Sequence, residues 1–121
     1  MIDNPIIVIR PTATGLTVAD IARDVFAELQ IASYRFVEES GPNQSFEVFW
    51  SGYRDGVEYR VCEAGGSQIE RYPFWVHVKK PDSFEHTDQL TEQAHTLAEQ
   101  LTQRGWCCAV RGYISATALE T

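Results

Sequence analysis

The sequence predicts an α+β fold, a two-layer sandwich in which two helices cover one face of a mostly antiparallel sheet. Apolar residues recur with a helical period in two segments, 16–32 and 87–104. Between them, short segments with a period of two are separated by turns that contain glycine or proline. The resulting order, β-α-β-β-β-β-α-β, fits a ferredoxin-like plan with one additional hairpin.

The first strand and the first helix are the most clearly marked elements. Residues 5–10, PIIVIR, form a β-branched apolar run that ends at Pro11. Beyond the loop, Thr17 is placed to cap a helix, and Asp20 occupies its third position, near the positive end of the helix dipole. The helix then shows one apolar stripe, which consists of Val18, Ile21, Ala22, Val25, Phe26 and Leu29. This helix therefore packs one face on the sheet.

The middle of the chain predicts an antiparallel meander. Strand patterns occupy 33–39, 46–50, 57–61 and 68–80, and RDG at 54–56 and AGG at 64–66 make turns between them. Pro73 cannot donate a hydrogen bond to a ladder. It therefore marks either a late start of the last of these strands or a position whose backbone nitrogen faces outward.

A second helix and a final strand complete the chain. The helix covers 87–104, with Thr87 as its cap and Gly105 just past its end. Its apolar stripe consists of Leu90, Ala94, Leu97, Ala98 and Leu101. The strand that follows is WCCAVRGYI at 106–114. Right-handed crossovers would place both helices on the same face of the sheet.

Composition limits the class of protein. With 121 residues, 44% hydrophobic and 22% charged, the chain predicts a single globular α+β domain over 1–121. The net charge of −7 disfavours nucleic acid and anionic membranes as partners, and no apolar run approaches the length of a membrane span. Three cysteines without C-x-x-C spacing indicate free thiols. We expect a soluble, cytoplasmic protein that binds no nucleic acid, membrane or cofactor.

The adjacent pair Cys107 and Cys108 suggests redox or metal chemistry, but its strand context argues against it. Neighbouring residues of a strand point to opposite faces, so Cys108 belongs with Val110 on the helix-covered side and Cys107 on the other. Cys62, Cys107 and His77 could share a face, but their spacing matches no zinc motif. We predict no metal site and no catalytic residue.

The same alternation defines what we term the second sheet face, the side of the sheet away from the helices. Aromatic and arginine residues of the kind that anchor interfaces fall on it. Three interpretations remain open: contact between copies of the chain, a site for another protein or for an aromatic or anionic ligand, or coverage by the 40–45 loop and the C-terminal tail. The predicted interface residues are Phe49, Arg60, Trp75, His77, Arg111 and Tyr113, with Cys62 and Cys107 beside them.

Two functions follow from these residues. The first is a non-enzymatic binding or adaptor protein that associates through the second sheet face, as a homodimer or with another protein. It follows from the interface residues and from the lack of a catalytic motif. The alternative is a small-ligand-binding protein or small enzyme with a cleft near His77, Arg60 and Arg111, where polar groups converge beside aromatic rings.

Overall fold

The computed structural model describes residues 5–40, 46–64, 72–80 and 88–112. Eight elements follow in the predicted order. They are β1 (Pro5–Arg10), α1 (Val18–Glu28), β2 (Tyr34–Ser40), β3 (Phe46–Arg54), β4 (Val57–Glu63), β5 (Phe74–Lys79), α2 (Asp88–Gln103) and β6 (Cys107–Gly112). The α+β prediction is confirmed.

The six strands form one sheet in the order β2-β3-β4-β5-β1-β6, and every neighbouring pair is antiparallel. The N-terminal strand β1 therefore lies between β5 and the last strand, β6. Strands β2, β5, β1 and β6 keep the relative order of a ferredoxin-like sheet, and the β3–β4 hairpin is inserted between β2 and β5. The chain thus follows the ferredoxin-like plan with one extra hairpin.

Helix α1 begins and ends at hydrogen-bonded caps. The backbone nitrogen of Asp20 donates to Thr17 Oγ1 at 3.2 Å, and the Thr17 nitrogen donates to Asp20 Oδ2 at 2.9 Å. This capping box satisfies two of the free donors at the first turn, as the sequence predicts. At the other end Gln30 has a positive φ of 58°, and the Ile31 nitrogen donates to the Phe26 carbonyl. That Schellman-type ending turns Ile31 back onto the helix.

The turns of the meander explain where its strands end. Asp55 and Gly56 both have positive φ, 53° and 78°, which is the backbone of a two-residue type I′ hairpin turn. Because this turn matches the twist of the flanking strands, β3 continues to Arg54 and is longer than the predicted 46–50. Strand β5 starts only at Phe74, directly after Pro73, which confirms the late start. Residues 65–71 and the predicted cap Thr87 lie outside the described residues.

The core lies between the helices and one face of the sheet. Helix α1 packs over β3 and β4, and α2 packs over β1, β5 and β6. Both predicted helix stripes and the inward residues of the central strands are buried here, including Ile7, Ile9, Phe26, Val61, Val76, Leu97 and Leu101. Alternation along 46–50 predicts that Val48 points toward the helices together with Trp50, but this prediction of burial is wrong, because Val48 is 37% exposed.

Candidate functional site

Strand register places most of the predicted interface residues on one side of the sheet. A continuous row crosses the sheet from β2 to β6 through Arg35, Ser51, Arg60, His77, Ile6 and Arg111. Trp75 lies in the adjacent row, between Cys62 and Val8. Phe49 is two residues before Ser51 and therefore shares its face. Tyr113 lies outside the described residues.

The centre of the second sheet face is buried and its margins are open. Phe49 is 4% exposed, and the residues Ile6, Val8, Ser51 and Glu58 are each 3% exposed or less. Arg60, Trp75 and His77 are half-buried, whereas Arg111 and Cys107 are exposed. Part of this face therefore behaves as a second apolar layer, and its accessible functional groups are the arginines, the edge of Trp75 and the residues on the edge strands.

A buried ionic cluster lies within this face on the β3–β4 hairpin. Ser51 Oγ donates to Glu58 Oε2 at 2.7 Å, and Arg60 Nε lies 2.8 Å from the same oxygen. Burial raises the pKa of Glu58, but the contacts from Arg60 and Ser51 and the positive charge of Lys79 outweigh it, so the pKa is lowered. Glu58 is therefore a carboxylate at neutral pH, and it fixes the position of the Arg60 guanidinium.

Arg60 is held on its other side by an aromatic ring. Its guanidinium carbon lies 4.4 Å from the centroid of the Phe49 ring, within the range of a cation–π contact. The ring and the carboxylate together hold the planar guanidinium in one orientation. Its remaining N–H donors therefore point in fixed directions. The buried Phe49 thus serves as a platform for Arg60.

His77 is the neighbour of Arg60 across the strand pair and is kept neutral. Burial lowers the pKa of His77 to about 4, and the positive charges of Lys79 and Arg60 add to this effect. The imidazole ring is 6.0 Å from the Trp75 ring in an edge-on arrangement. At neutral pH His77 therefore contributes a polar, uncharged ring to the face rather than a proton-transfer group poised near pH 7.

The face also differs in charge from the whole chain, which carries a net charge of −7 and only ten Lys and Arg residues. Glu58 is buried within this face, and Glu39 and Glu47 occupy paired register positions toward one corner of it. Alternation along the strands places five of the ten basic residues on it, namely Arg10, Arg35, Arg60, Lys79 and Arg111. An acidic chain thus presents a face with an excess of positive positions.

Four residues of this face were not among the predicted interface residues. Ser51 and Glu58 read as ordinary outward polar residues, because their contact depends on the register of β3 against β4. Ile6 and Val8 had a usable signal, since an unbroken apolar run such as IIVI is typical of a strand that is covered on both sides. Three buried side-chain polar atoms of the described face, Glu58 Oε1, Arg60 Nε and Trp75 Nε1, have no hydrogen bond of good geometry, although Arg60 Nε keeps its ion-pair contact with Glu58 Oε2 at 2.8 Å. A buried polar atom without any partner lowers stability by about 1–3 kcal/mol.

The cysteines are positioned as the strand interpretation predicts. Cys107 pairs in register with Arg10 and Cys108 with Ile9, so the two thiols point to opposite sides of β6. Cys62, Cys107 and Cys108 all lie in the described part of the chain, and none of them forms a disulfide bond. Within the described ranges, no group of three or more His, Cys, Asp or Glu side chains is arranged to hold a metal ion.

A separate open cavity of about 410 Å³ lies between α2 and the edge strand β6. Its walls include His95, Glu99, Thr102 and Cys108. Burial raises the pKa of the Cys108 thiol to about 11, with a smaller opposing effect from Thr102. Cys108 is therefore a neutral thiol at physiological pH and not an activated nucleophile.

Neither helix in the described part of the chain has the length and apolarity that a membrane crossing requires. No protein family matches the sequence, no curated protein matches it, and no solved structure matches the fold. The geometry and charge of the second sheet face are therefore the features from which a function is inferred.

Proposed function

We propose that the chain is a non-enzymatic binding protein that associates with another protein through the second sheet face. The observation that supports this function is the concentration of basic and aromatic residues on one face of an acidic chain. Charge complementarity of this kind selects partners and speeds their encounter. We propose a protein with surface carboxylates as the partner.

The arginines of the face are suited to carboxylate recognition. Arg60 is fixed by Glu58 and Phe49, so little rotamer entropy is lost when it binds. Arg35 and Arg111 lie on the two edge strands in the same row and are exposed. Planar guanidinium groups bind carboxylates through two parallel hydrogen bonds. The row therefore presents an exposed guanidinium group at each end, with the half-buried Arg60 between them, to the acidic side chains of a partner.

A homodimer through this same face is a less favourable form of the prediction. In a two-fold interface the same patch meets itself. Arg35, Arg60 and Arg111 would then approach a second set of the same residues, and apposed like charges oppose association. A partner of opposite charge avoids that repulsion.

The small-ligand alternative depends on how far apart its three residues lie. Arg60 and His77 are direct neighbours, but Ile6 separates His77 from Arg111. Adjacent strands are about 4.8 Å apart, so the backbones at Arg60 and Arg111 are separated by roughly 14 Å. That distance favours an extended partner over one small ligand that contacts all three.

The test uses the full chain and a fluorescent ten-residue polyglutamate peptide at low salt. Fluorescence anisotropy should report binding that weakens as salt is added. Arg111→Ala should weaken it about three- to tenfold, because one exposed charged contact is lost. Arg23→Ala on α1, whose side chain is 64% exposed, is the matched control and should have no effect.

Two results would contradict the proposal. The first is a lack of peptide binding at low salt, or equal weakening by Arg111→Ala and Arg23→Ala. The second is tighter binding of a single-stranded thymidine oligonucleotide than of the peptide, since phosphates would then be the preferred anion.

A further inference from the structure

The edge strand β2 is exposed in a way that the rest of the sheet is not. It pairs with β3 on one side, and no other described strand pairs with it on the other. The large hydrophobic side chains that are exposed in the described part of the chain all lie on β2 and β3: Phe36 at 44%, Val48 at 37% and Tyr53 at 50%. An open edge beside exposed apolar side chains is a template for pairing with another strand.

The helix layer covers only part of this edge. The Phe26 ring of α1 stacks on Tyr34, with 4.5 Å between ring centroids, and so protects the start of β2. Two residues further on, the Phe36 ring contacts Trp50, with 5.1 Å between ring centroids. Phe36 nevertheless remains 44% exposed. The exposed part of Phe36 therefore lies on the helix side of the sheet, at its outer margin.

The sequence of β2, YRFVEES, is complementary to itself when two copies run antiparallel. Because strands alternate, positions 35, 37 and 39 share one face. Consider a two-fold axis that is perpendicular to the sheet and passes through Val37. Position 35 of each copy then lies opposite position 39 of the other copy, which gives two equivalent contacts. Those positions hold Arg35 and Glu39. Opposite charges directly across a strand pair stabilise it, and like charges destabilise it.

We propose that two copies of this chain associate through their β2 edges, with the two-fold axis at Val37, to form one continuous twelve-stranded sheet. In this register the two Phe36 residues are diagonal neighbours, which is within reach of aromatic side chains. Both helix layers lie on one side of the joined sheet, and the two second sheet faces lie together on the other. This contact does not require the acidic partner proposed above.

The opposite edge of the sheet lacks these features. Strand β6, CCAVRG, contains Arg111 and no acidic residue. If the β6 strands of two copies paired, Arg111 would therefore meet no acidic residue on the other β6 strand. Of the two edges, β2 is the one with charges and apolar side chains that match a second copy.

The experiment is a charge exchange that is followed by sedimentation velocity at high micromolar concentration. Wild type should sediment as a dimer. Arg35→Glu alone and Glu39→Arg alone should each weaken the dimer at least about tenfold, because two cross-strand contacts become repulsive. An equimolar mixture of the two variants should form a dimer again, since every 35–39 contact is then between opposite charges. Arg111→Glu, the same substitution on the other edge, should leave the dimer intact.

A wild-type monomer would overturn the proposal, and so would dimers that survive both single substitutions or dissociate in Arg111→Glu. Circular dichroism establishes that each variant is folded. Should one of them unfold, symmetric crosslinking replaces it: in a Cys107→Ser background, Val37→Cys should form an intermolecular disulfide on oxidation. Ala109→Cys, in the middle of β6, is the control that should not crosslink. Failure of Val37→Cys to crosslink would refute the β2 contact.

Discussion

Gly52 is the position where the packing of α1 on the sheet is most sensitive to a single methyl group. It lies in β3, opposite Tyr34 and Tyr59 in register. A Cβ atom built there would be 2.7 Å from Phe26 Cε1 and 3.1 Å from Ile31 Cγ2. Phe26 is fully buried, and its ring is stacked on Tyr34, so it has little room to withdraw.

Gly52→Ala should therefore destabilise the protein. Ordinary contact begins near 3.4 Å, so the Phe26 ring must move by about 0.7 Å. Overpacking of this kind costs about 1–3 kcal/mol, and the usual gain of alanine over glycine in a strand offsets roughly 0.5–1 kcal/mol of that. We expect a net loss of about 1–2 kcal/mol. In urea unfolding followed by tryptophan fluorescence, the midpoint should fall by roughly 0.5–1 M.

A double-mutant cycle with Phe26 tests whether the contact with its ring causes the loss of stability in Gly52→Ala. Phe26→Leu removes the ring atoms that clash, so Gly52→Ala should be about 1 kcal/mol less damaging in that background than in wild type. Gly56→Ala is the control, because Gly56 has a φ of +78° and no atom within 4 Å of its Cβ position. Its loss comes from backbone strain, and Phe26→Leu should not reduce it. A loss below 0.5 kcal/mol for Gly52→Ala, or an equal loss in both backgrounds, would refute this reasoning.

Two further predictions concern titration and reactivity. The pKa of His77 is lowered to about 4 in the folded chain. As the pH falls from about 6.5 toward 4, the unfolded chain therefore binds a proton at His77 before the folded chain does. The free energy of unfolding should drop by on the order of 2–3 kcal/mol over that range. Urea unfolding across this range should show a shallower decline for His77→Gln, and an unchanged slope would contradict the assignment. With Ellman's reagent, the exposed Cys107 should react before Cys108, whose pKa is about 11. The fast phase should disappear in Cys107→Ser; its loss in Cys108→Ser instead would contradict the strand orientation.

Local signals were sufficient to predict the elements of this fold. The Thr17–Asp20 pair marks the start of α1, and Pro73 marks the start of β5, because each acts through hydrogen bonds within a few residues. Alternation along β6 separated Cys107 from Cys108 for the same reason. The order of the strands could not be predicted in this way, since β1 pairs with residues 65 to 107 positions later in the chain.

For the residues of the candidate site, the side of the sheet was easier to predict than the degree of burial. Arg60 and His77 were placed on the correct side because parity alone decides it. The hydrogen bond from Ser51 to Glu58 was not foreseen, since it depends on the register of β3 against β4 across the hairpin. Val48 was expected inside, but α1 does not extend over that part of β3. Exposure at the sheet margin depends on helix placement, which the pattern of a single strand does not contain.

The location of β1 has a consequence for how the polypeptide acquires its structure. Its flanking partners are β5 and β6, and β6 comes after every other described element in the chain. The PIIVIR segment is synthesised before both of its partners and cannot pair until they follow, whereas β2, β3 and β4 are consecutive and can pair locally. Pulse-labelled hydrogen exchange during refolding should protect amides of β3 and β4 earlier than those of Ile7 and Ile9. Until both partners are in place, the apolar side chains of β1 lack the cover that they have in the folded sheet.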